Sequence, residues 1–182
     1  MPKNFSRYGE LREHHSKNNM PQLISREKAI AQIEKQIKPG ECLACALLSQ
    51  QKNPVIHSGK FTTVLLTLFP RNWGQVMILL NSHKLSFSEL TDEEWAELNK
   101  NLRKAAMAVE KTLNPLRVFV AGTGSVKNHL ITCPHLHFNI VPVYNAEEKS
   151  SEIFTWENGV YEGTETEWKE LHQKLRAAFS ST

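Results

Sequence analysis

No apolar stretch in the 182-residue chain approaches the roughly 20 residues that a membrane-crossing helix requires. The opening residues, Met1-Pro2-Lys3-Asn4-Phe5, lack the apolar segment of a secretory signal, and a cytoplasmic protein is expected. Neither sign of charge prevails. Lysine and arginine total 22 against 19 acidic residues, for a net charge of +3. That balance argues against a dedicated nucleic-acid binder and leaves small phosphorylated ligands open. Cysteine is scarce, with only Cys42, Cys45 and Cys133. An odd, small number in a chain expected in the cytoplasm argues against a disulfide framework. There is no internal repeat. Gly122-x-Gly124 is too short, and too far from a helix start, for a dinucleotide fingerprint.

What the chain does hold is enough apolar material, 40% of residues, for a real core. The length suits one domain with an added arm: residues 1–38 as a polar N-terminal arm and helix, and 39–182 as the main domain with a C-terminal helix. Ser25 caps a helix with Ala29, Ile30, Ile33 and Ile37 on one stripe, and Pro39-Gly40 stops it. Val55–Ser58 and Phe61–Leu68 read as a hairpin about Gly59-Lys60. Gln75–Leu80 reads as a short buried strand. Thr91-Asp92-Glu93-Glu94 is a capping box that opens the longest helix, whose stripe is Trp95, Leu98, Leu102, Ala105, Ala106, Val109 and Leu113. Asn114-Pro115 ends it. Leu116–Ala121 is a further strand, and a second capping box at Thr164–Glu167 starts a last helix reaching about Phe179. Antiparallel strands with a long central helix and terminal helices make the fold class α+β.

The run Cys133-Pro134-His135-Leu136-His137-Phe138-Asn139-Ile140-Val141-Pro142 alternates polar with apolar residues. In an extended strand alternate side chains share a face, so His135, His137 and Asn139 face one way and Leu136, Phe138 and Ile140 the other. By itself this is either a catalytic strand with a buried back or a half-exposed polar face. Cys42-x-x-Cys45 is similarly open among metal binding, redox chemistry and plain burial.

Taken in order, these features are more specific. Cys42-x-x-Cys45 precedes the hairpin. Phe69-Pro70-x-x-x-Gly74-Gln75 precedes a strand ending at His83, Ser86-x-x-Glu89-Leu90-Thr91 follows, and the histidine strand ends in Pro142. Over roughly residues 40–145 this resembles the histidine-triad (HIT) superfamily. The resemblance implies an antiparallel half-barrel sheet and a symmetric dimer. The third histidine of the triad is replaced by Asn139, which resembles the galactose-1-phosphate uridylyltransferase and diadenosine tetraphosphate phosphorylase branch, where Gln takes this place. The same branch implies zinc at Cys42, Cys45, His83 and His135, a donor set that suits a closed tetrahedral structural site. Two positions depart further. The acidic residue that grips ribose falls on Thr67, and the Gly-Gln ahead of the triad is replaced by His129-Leu130-Ile131, although Thr132 keeps the hydroxyl three residues before His135.

The resemblance implies an enzyme, a nucleotidyl hydrolase or transferase. His137 would attack phosphorus and form a nucleotidyl-imidazole, with phosphorolysis among the outcomes. His135 would orient the site or hold metal, and Thr67, Thr132 and Asn139 would contact substrate. Asn139 cannot release a proton near neutral pH. That favours nucleoside polyphosphate, dinucleoside polyphosphate or sugar-phosphate substrates over phosphoramidates. A non-catalytic nucleotide- or partner-binding module is the competing expectation. Arg71, Lys84 and Lys127 are candidate phosphate-steering charges whose ordinary place is a solvated surface. His57, His129 and His172 have no motif support, His14 and His15 belong to the polar arm, and Trp73 and Trp95 are expected in packing.

Overall fold

Alternation and capping translate directly into elements. A computed structural model describes residues 20–35, 41–50, 54–123, 134–153 and 155–182. In chain order the elements are β1 (Gln22–Ile24), α1 (Arg26–Glu34), α2 (Leu43–Gln50), β2 (Val55–Ser58), β3 (Thr62–Leu66) and β4 (Val76–Leu80). A 3₁₀ turn (Phe87–Glu89) leads into α3 (Asp92–Leu113). Then come β5 (Arg117–Thr123), β6 (His137–Val143), α4 (Ser150–Ile153), β7 (Val160–Glu162) and α5 (Glu165–Ser180). Five strands form one antiparallel sheet in the order β2-β3-β4-β6-β5, and β1 pairs with β7 in a separate two-stranded ribbon. The fold is mixed α+β with an open sheet.

The long helix α3 lies where its caps put it. Thr91 accepts from the Glu94 amide while the Glu94 carboxylate accepts from the Thr91 amide, and Asn114 closes the far end in the left-handed region (φ 44°). Leu98, Ala105, Ala108 and Val109 are buried against one face of the sheet, where they meet Val64, Leu66, Ile78, Leu80, Leu136, Phe138 and Ile140. Helix α5 adds Leu171, Leu175 and Phe179 to the same core. The apolar back of the histidine strand is thus buried as its alternation requires. Ile140 is wholly buried there. Ile140→Ala is expected to cost about 2–5 kcal/mol of unfolding free energy, measurable by urea titration, through lost transfer energy and an incompletely collapsed cavity. Gly122 lets β5 approach this strand, because a Cβ there would collide with the Phe138 ring.

Some elements depart from the sequence reading. Gln22–Ile24 and Val160–Glu162 are strands of only three residues, and they zip the N-terminal segment onto the C-terminal one. Glu162 holds α1 to this ribbon by accepting from Lys28 Nζ and Gln32 Nε2, both at 2.7 Å. Trp95, placed on the apolar stripe by spacing, is 43% exposed and stacks edge-on against Phe87 rather than entering the core. Strand β6 begins at His137, with His135 in the bend before it. Residues 36–40 and 124–133, which include the end of the expected first helix and the loop after Gly122-x-Gly124, lie outside the described residues.

Lys84, a candidate phosphate-steering charge, is engaged in an ion pair. Its Nζ is 2.7 Å from Glu94 Oε2, and both groups are largely covered. Glu94 also caps α3, and hydrogen bonds from Lys84 and the Thr91 amide hold its carboxyl below the usual carboxylate range. A depressed carboxyl contributes stability above its unfolded value of 4.5, and that contribution is lost as the pH falls below it. The thermal midpoint of Glu94→Gln should therefore lie below that of the parent at pH 7 and converge with it toward pH 3, as a pH series of melting curves would read.

Candidate active site and metal centre

The other face of the sheet carries the polar residues. Registry sets Leu79 opposite His137 and Met77 opposite Asn139. Helix α2 covers part of this face, with Ala44 buried against Leu65 and Leu79, and Cys42, Leu48 and Met77 around them. The apolar first turn of α2 thereby carries both cysteines to the start of β6. His83 arrives from the turn after β4.

Four ligand-type atoms converge there. The donor atoms of Cys42, Cys45, His83 and His135 all lie within 4.8 Å of one another. Cys42 Sγ is 3.7 Å from His135 Nδ1, Cys45 Sγ is 3.6 Å from the same nitrogen, and Cys45 Sγ is 3.4 Å from His83 Nδ1. A tetrahedral zinc with Zn–S near 2.3 Å and Zn–N near 2.0 Å has sulfur–nitrogen edges of about 3.5 Å. The observed edges fall on that value, so the donor set fits the ion. His135 is fully buried, and its Nε2 bonds the Leu80 carbonyl at 2.8 Å, which puts the proton on Nε2 and leaves Nδ1 free to ligate. Burial and the neighbouring Cys42 push the Cys45 thiol up to about 11. A bound cation reverses that preference, because coordination takes the thiolate.

His137 occupies the first position of β6 and is half-buried. Its Nδ1 donates to the backbone carbonyl of His135 at 2.8 Å. The remaining nitrogen, Nε2, is therefore the unprotonated one in the neutral ring. Burial, and to a lesser extent the Arg71 charge, hold its basicity below the ordinary imidazole value. The Nδ1 hydrogen bond fixes the tautomer and leaves Nε2 with a free lone pair in the neutral ring. The carbonyl that fixes it belongs to the residue whose side chain is in the Cys2His2 cluster.

Asn139 follows at period two. Its Oδ1 accepts from Gln75 Nε2 at 2.8 Å, so its NH2 is left to donate. Gln75 is itself fully buried, and its Oε1 accepts from the Arg71 backbone amide at 3.0 Å. The turn that delivers Gln75 depends on Gly74, which sits at φ 91° and packs so close to Leu113 that any Cβ would collide. Nothing in the sequence pattern marked Gln75 as chemical. It stood only as an anchor of the Phe69-Pro70-x-x-x-Gly74-Gln75 motif.

Two neighbours complete the surroundings. Thr67 Oγ1 is buried without a hydrogen-bond partner, and its backbone amide bonds Gln75 O at 3.1 Å. Arg71 is half-buried rather than solvated, with Nε on the Thr155 carbonyl at 3.2 Å and its guanidinium 6.0 Å from the Trp156 ring centroid. Trp73 packs on Trp168, as expected of a structural ring. His57 stacks on Phe179 and His172 bonds the Val55 carbonyl, both away from β6. Thr132, Cys133, Lys127, His129, His14 and His15 lie outside the described residues. A cleft of about 380 Å³ between α2 and the β2–β3 hairpin is lined by Leu47, Leu48, Val55, Ser58, Thr63, Leu65 and Asn81. It holds none of these reactive groups.

No family model matches the chain. An uncharacterised HIT-like protein of Methanocaldococcus jannaschii is 23% identical over 107 residues, covering 58% of this chain and 81% of that protein. AP-4-A phosphorylase of Mycobacterium tuberculosis is 27% identical over 106 residues, 55% of this chain and 51% of its own length, so the match spans about half of that enzyme. Among solved structures, a zinc-bound histidine triad family protein of Mycobacterium smegmatis superposes with a TM-score of 0.60 at 20% identity, covering 78% of this chain and 94% of the other.

Proposed function

We propose that this chain, a member of the histidine-triad superfamily, transfers a nucleotidyl group from a nucleoside polyphosphate through a covalent bond to His137. The observation that carries the proposal is the 2.8 Å bond from His137 Nδ1 to the His135 carbonyl, which leaves Nε2 unprotonated and supports it as the attacking atom. The Nε2 lone pair forms an N–P bond as the P–O bond to the leaving phosphate breaks. Water or inorganic phosphate then attacks phosphorus, the N–P bond breaks, and the imidazole returns neutral. Asn139 contributes hydrogen bonds from its NH2 group without supplying a proton, which suits a leaving group that departs as a phosphate. The name of the mycobacterial relative, AP-4-A phosphorylase, supports a dinucleoside polyphosphate as substrate. Thr67 and Thr132 are proposed as substrate contacts.

In the same reading zinc binds Cys42, Cys45, His83 and His135, where it is structural. The closed ligand set leaves no position for substrate, and His135 therefore anchors the strand instead of exchanging protons. A homodimer is proposed across the edge strand β5 and helix α3, where Val120 is 50% and Trp95 43% exposed. The absence of a third imidazole favours a second reading, a nucleotide-binding module without turnover. Incubation with diadenosine tetraphosphate, with and without phosphate, followed by chromatography separates them. Mononucleotide products support the enzyme, and unchanged substrate supports the module. Gln75→Leu should lower kcat about tenfold with little change in KM, because it releases the Asn139 amide from its orientation without touching substrate. Steady-state kinetics against Asn139→Ala would show the two losses to be non-additive.

A further inference from the structure

We infer that Arg71 and Thr67 form an anion subsite beside His137 that takes a phosphate other than the one under attack. The inference rests on the reading of His137 as nucleophile and extends it to what lies beyond the attacked phosphorus.

Several observations converge. Arg71 is a half-buried cation, and among the described residues no carboxylate pairs with it. Its guanidinium meets a neutral carbonyl on Thr155 and the face of Trp156. Withdrawing a charge from water without a counter-charge is costly, and an anionic ligand removes that cost. The chain is also tied to the reacting residues through hydrogen bonds. The Arg71 amide donates to Gln75, and Gln75 donates to Asn139, two residues along β6 from His137. Thr67 supplies the independent sign of a ligand. Its hydroxyl is buried and unsatisfied, on the strand exit hydrogen-bonded to Gln75. A buried hydroxyl without a partner is uncommon, and a phosphate oxygen would satisfy it. The segment around Arg71 is held firmly. The Tyr161 amide bonds the Pro70 carbonyl at 2.9 Å, and Phe69 packs on Trp156. A guanidinium held in place in this way suits a tetrahedral oxyanion better than a mobile lysine would.

The anion has two sources, the next phosphate of the leaving chain or free phosphate arriving as acceptor. Calorimetric titration of the 182-residue chain with inorganic tripolyphosphate and with orthophosphate, at fixed ionic strength, tests the subsite without requiring turnover. Arg71→Gln should weaken tripolyphosphate binding at least about tenfold and Arg71→Lys by less, while Lys174→Gln on the exposed face of α5 leaves it unchanged. Thr67→Val, which removes an unsatisfied hydroxyl with little change in shape, should weaken binding severalfold without lowering the thermal midpoint. A purely structural threonine would not separate those two readouts. Tripolyphosphate binding much tighter than orthophosphate assigns the subsite to the leaving chain, and comparable affinities assign it to the acceptor. Absence of tripolyphosphate binding in the parent protein, or binding unaltered in Arg71→Gln, overturns the subsite. His137→Asn that binds tripolyphosphate normally while the parent lacks turnover would overturn the nucleophile alone and leave the subsite standing.

Discussion

His137→Ala should abolish nucleotide turnover, by roughly 10⁴-fold or more, together with covalent labelling by a nucleotide substrate. The size of the effect follows from the geometry. Nε2 of this ring is the one atom on the polar face of β6 that combines a free lone pair with a fixed direction. Its neighbours cannot stand in for it: His135 is fully buried with both nitrogens engaged or aimed at the cysteines, and Asn139 is an amide. Rapid quench with a radiolabelled dinucleoside polyphosphate, followed by acid-stable and acid-labile fractionation, reads the N–P adduct directly. Labelling that persists in the alanine variant would show that the attacking group lies elsewhere. Unchanged nucleotide affinity alongside lost labelling would show that the site had remained folded.

Chelation, or Cys45→Ser, should produce the second large effect. A ligand present at a thousandfold excess over its dissociation constant stabilises the folded state by about 4 kcal/mol. In a chain of this size that is roughly 8–16 °C in thermal midpoint. The parent protein should carry one zinc per chain by elemental analysis, and EDTA should lower its midpoint by an amount in that range. Cys45→Ser should have the low midpoint already and show no further response. The physical reason is the position of the cluster. It ties α2, the turn after β4 and the start of β6 together through four side chains, beside the small apolar cluster of Ala44, Leu65 and Leu79. Protein that holds no metal, with a midpoint indifferent to chelator, would return Cys42 and Cys45 to the status of ordinary thiols.

Much of this architecture could be read in advance, because the signals were local. The two capping boxes at Thr91 and Thr164 opened the helices where they stood. Period-two alternation separated His137 and Asn139 from Phe138 and Ile140 correctly. The four cysteine and histidine positions came together as the resemblance implied. The residues that escaped are those whose role depends on distant chain. Gln75 acquires its role only when a loop glutamine meets a strand asparagine 64 residues away. Arg71 leaves solvent because Thr155 and Trp156 fold over it, a contact that no spacing rule contains. Strands β1 and β7 are too short for periodicity and exist because each completes the other. Trp95 obeyed helical spacing and still emerged at the surface, where its ring meets Phe87 and Phe138.

The backbone carbonyl of His135 has a consequence for control of the protein. One residue meets the cluster with its ring and steadies the His137 imidazole with its oxygen. Damage at the sulfurs need not reach the reacting atoms to silence them. An oxidant that couples Cys42 to Cys45 would take both sulfurs from His135 Nδ1 and leave the ring held by the Leu80 carbonyl. If His137 carries a nucleotidyl group as proposed, thiol chemistry at one end of the strand would bear on phosphorus chemistry two residues along it.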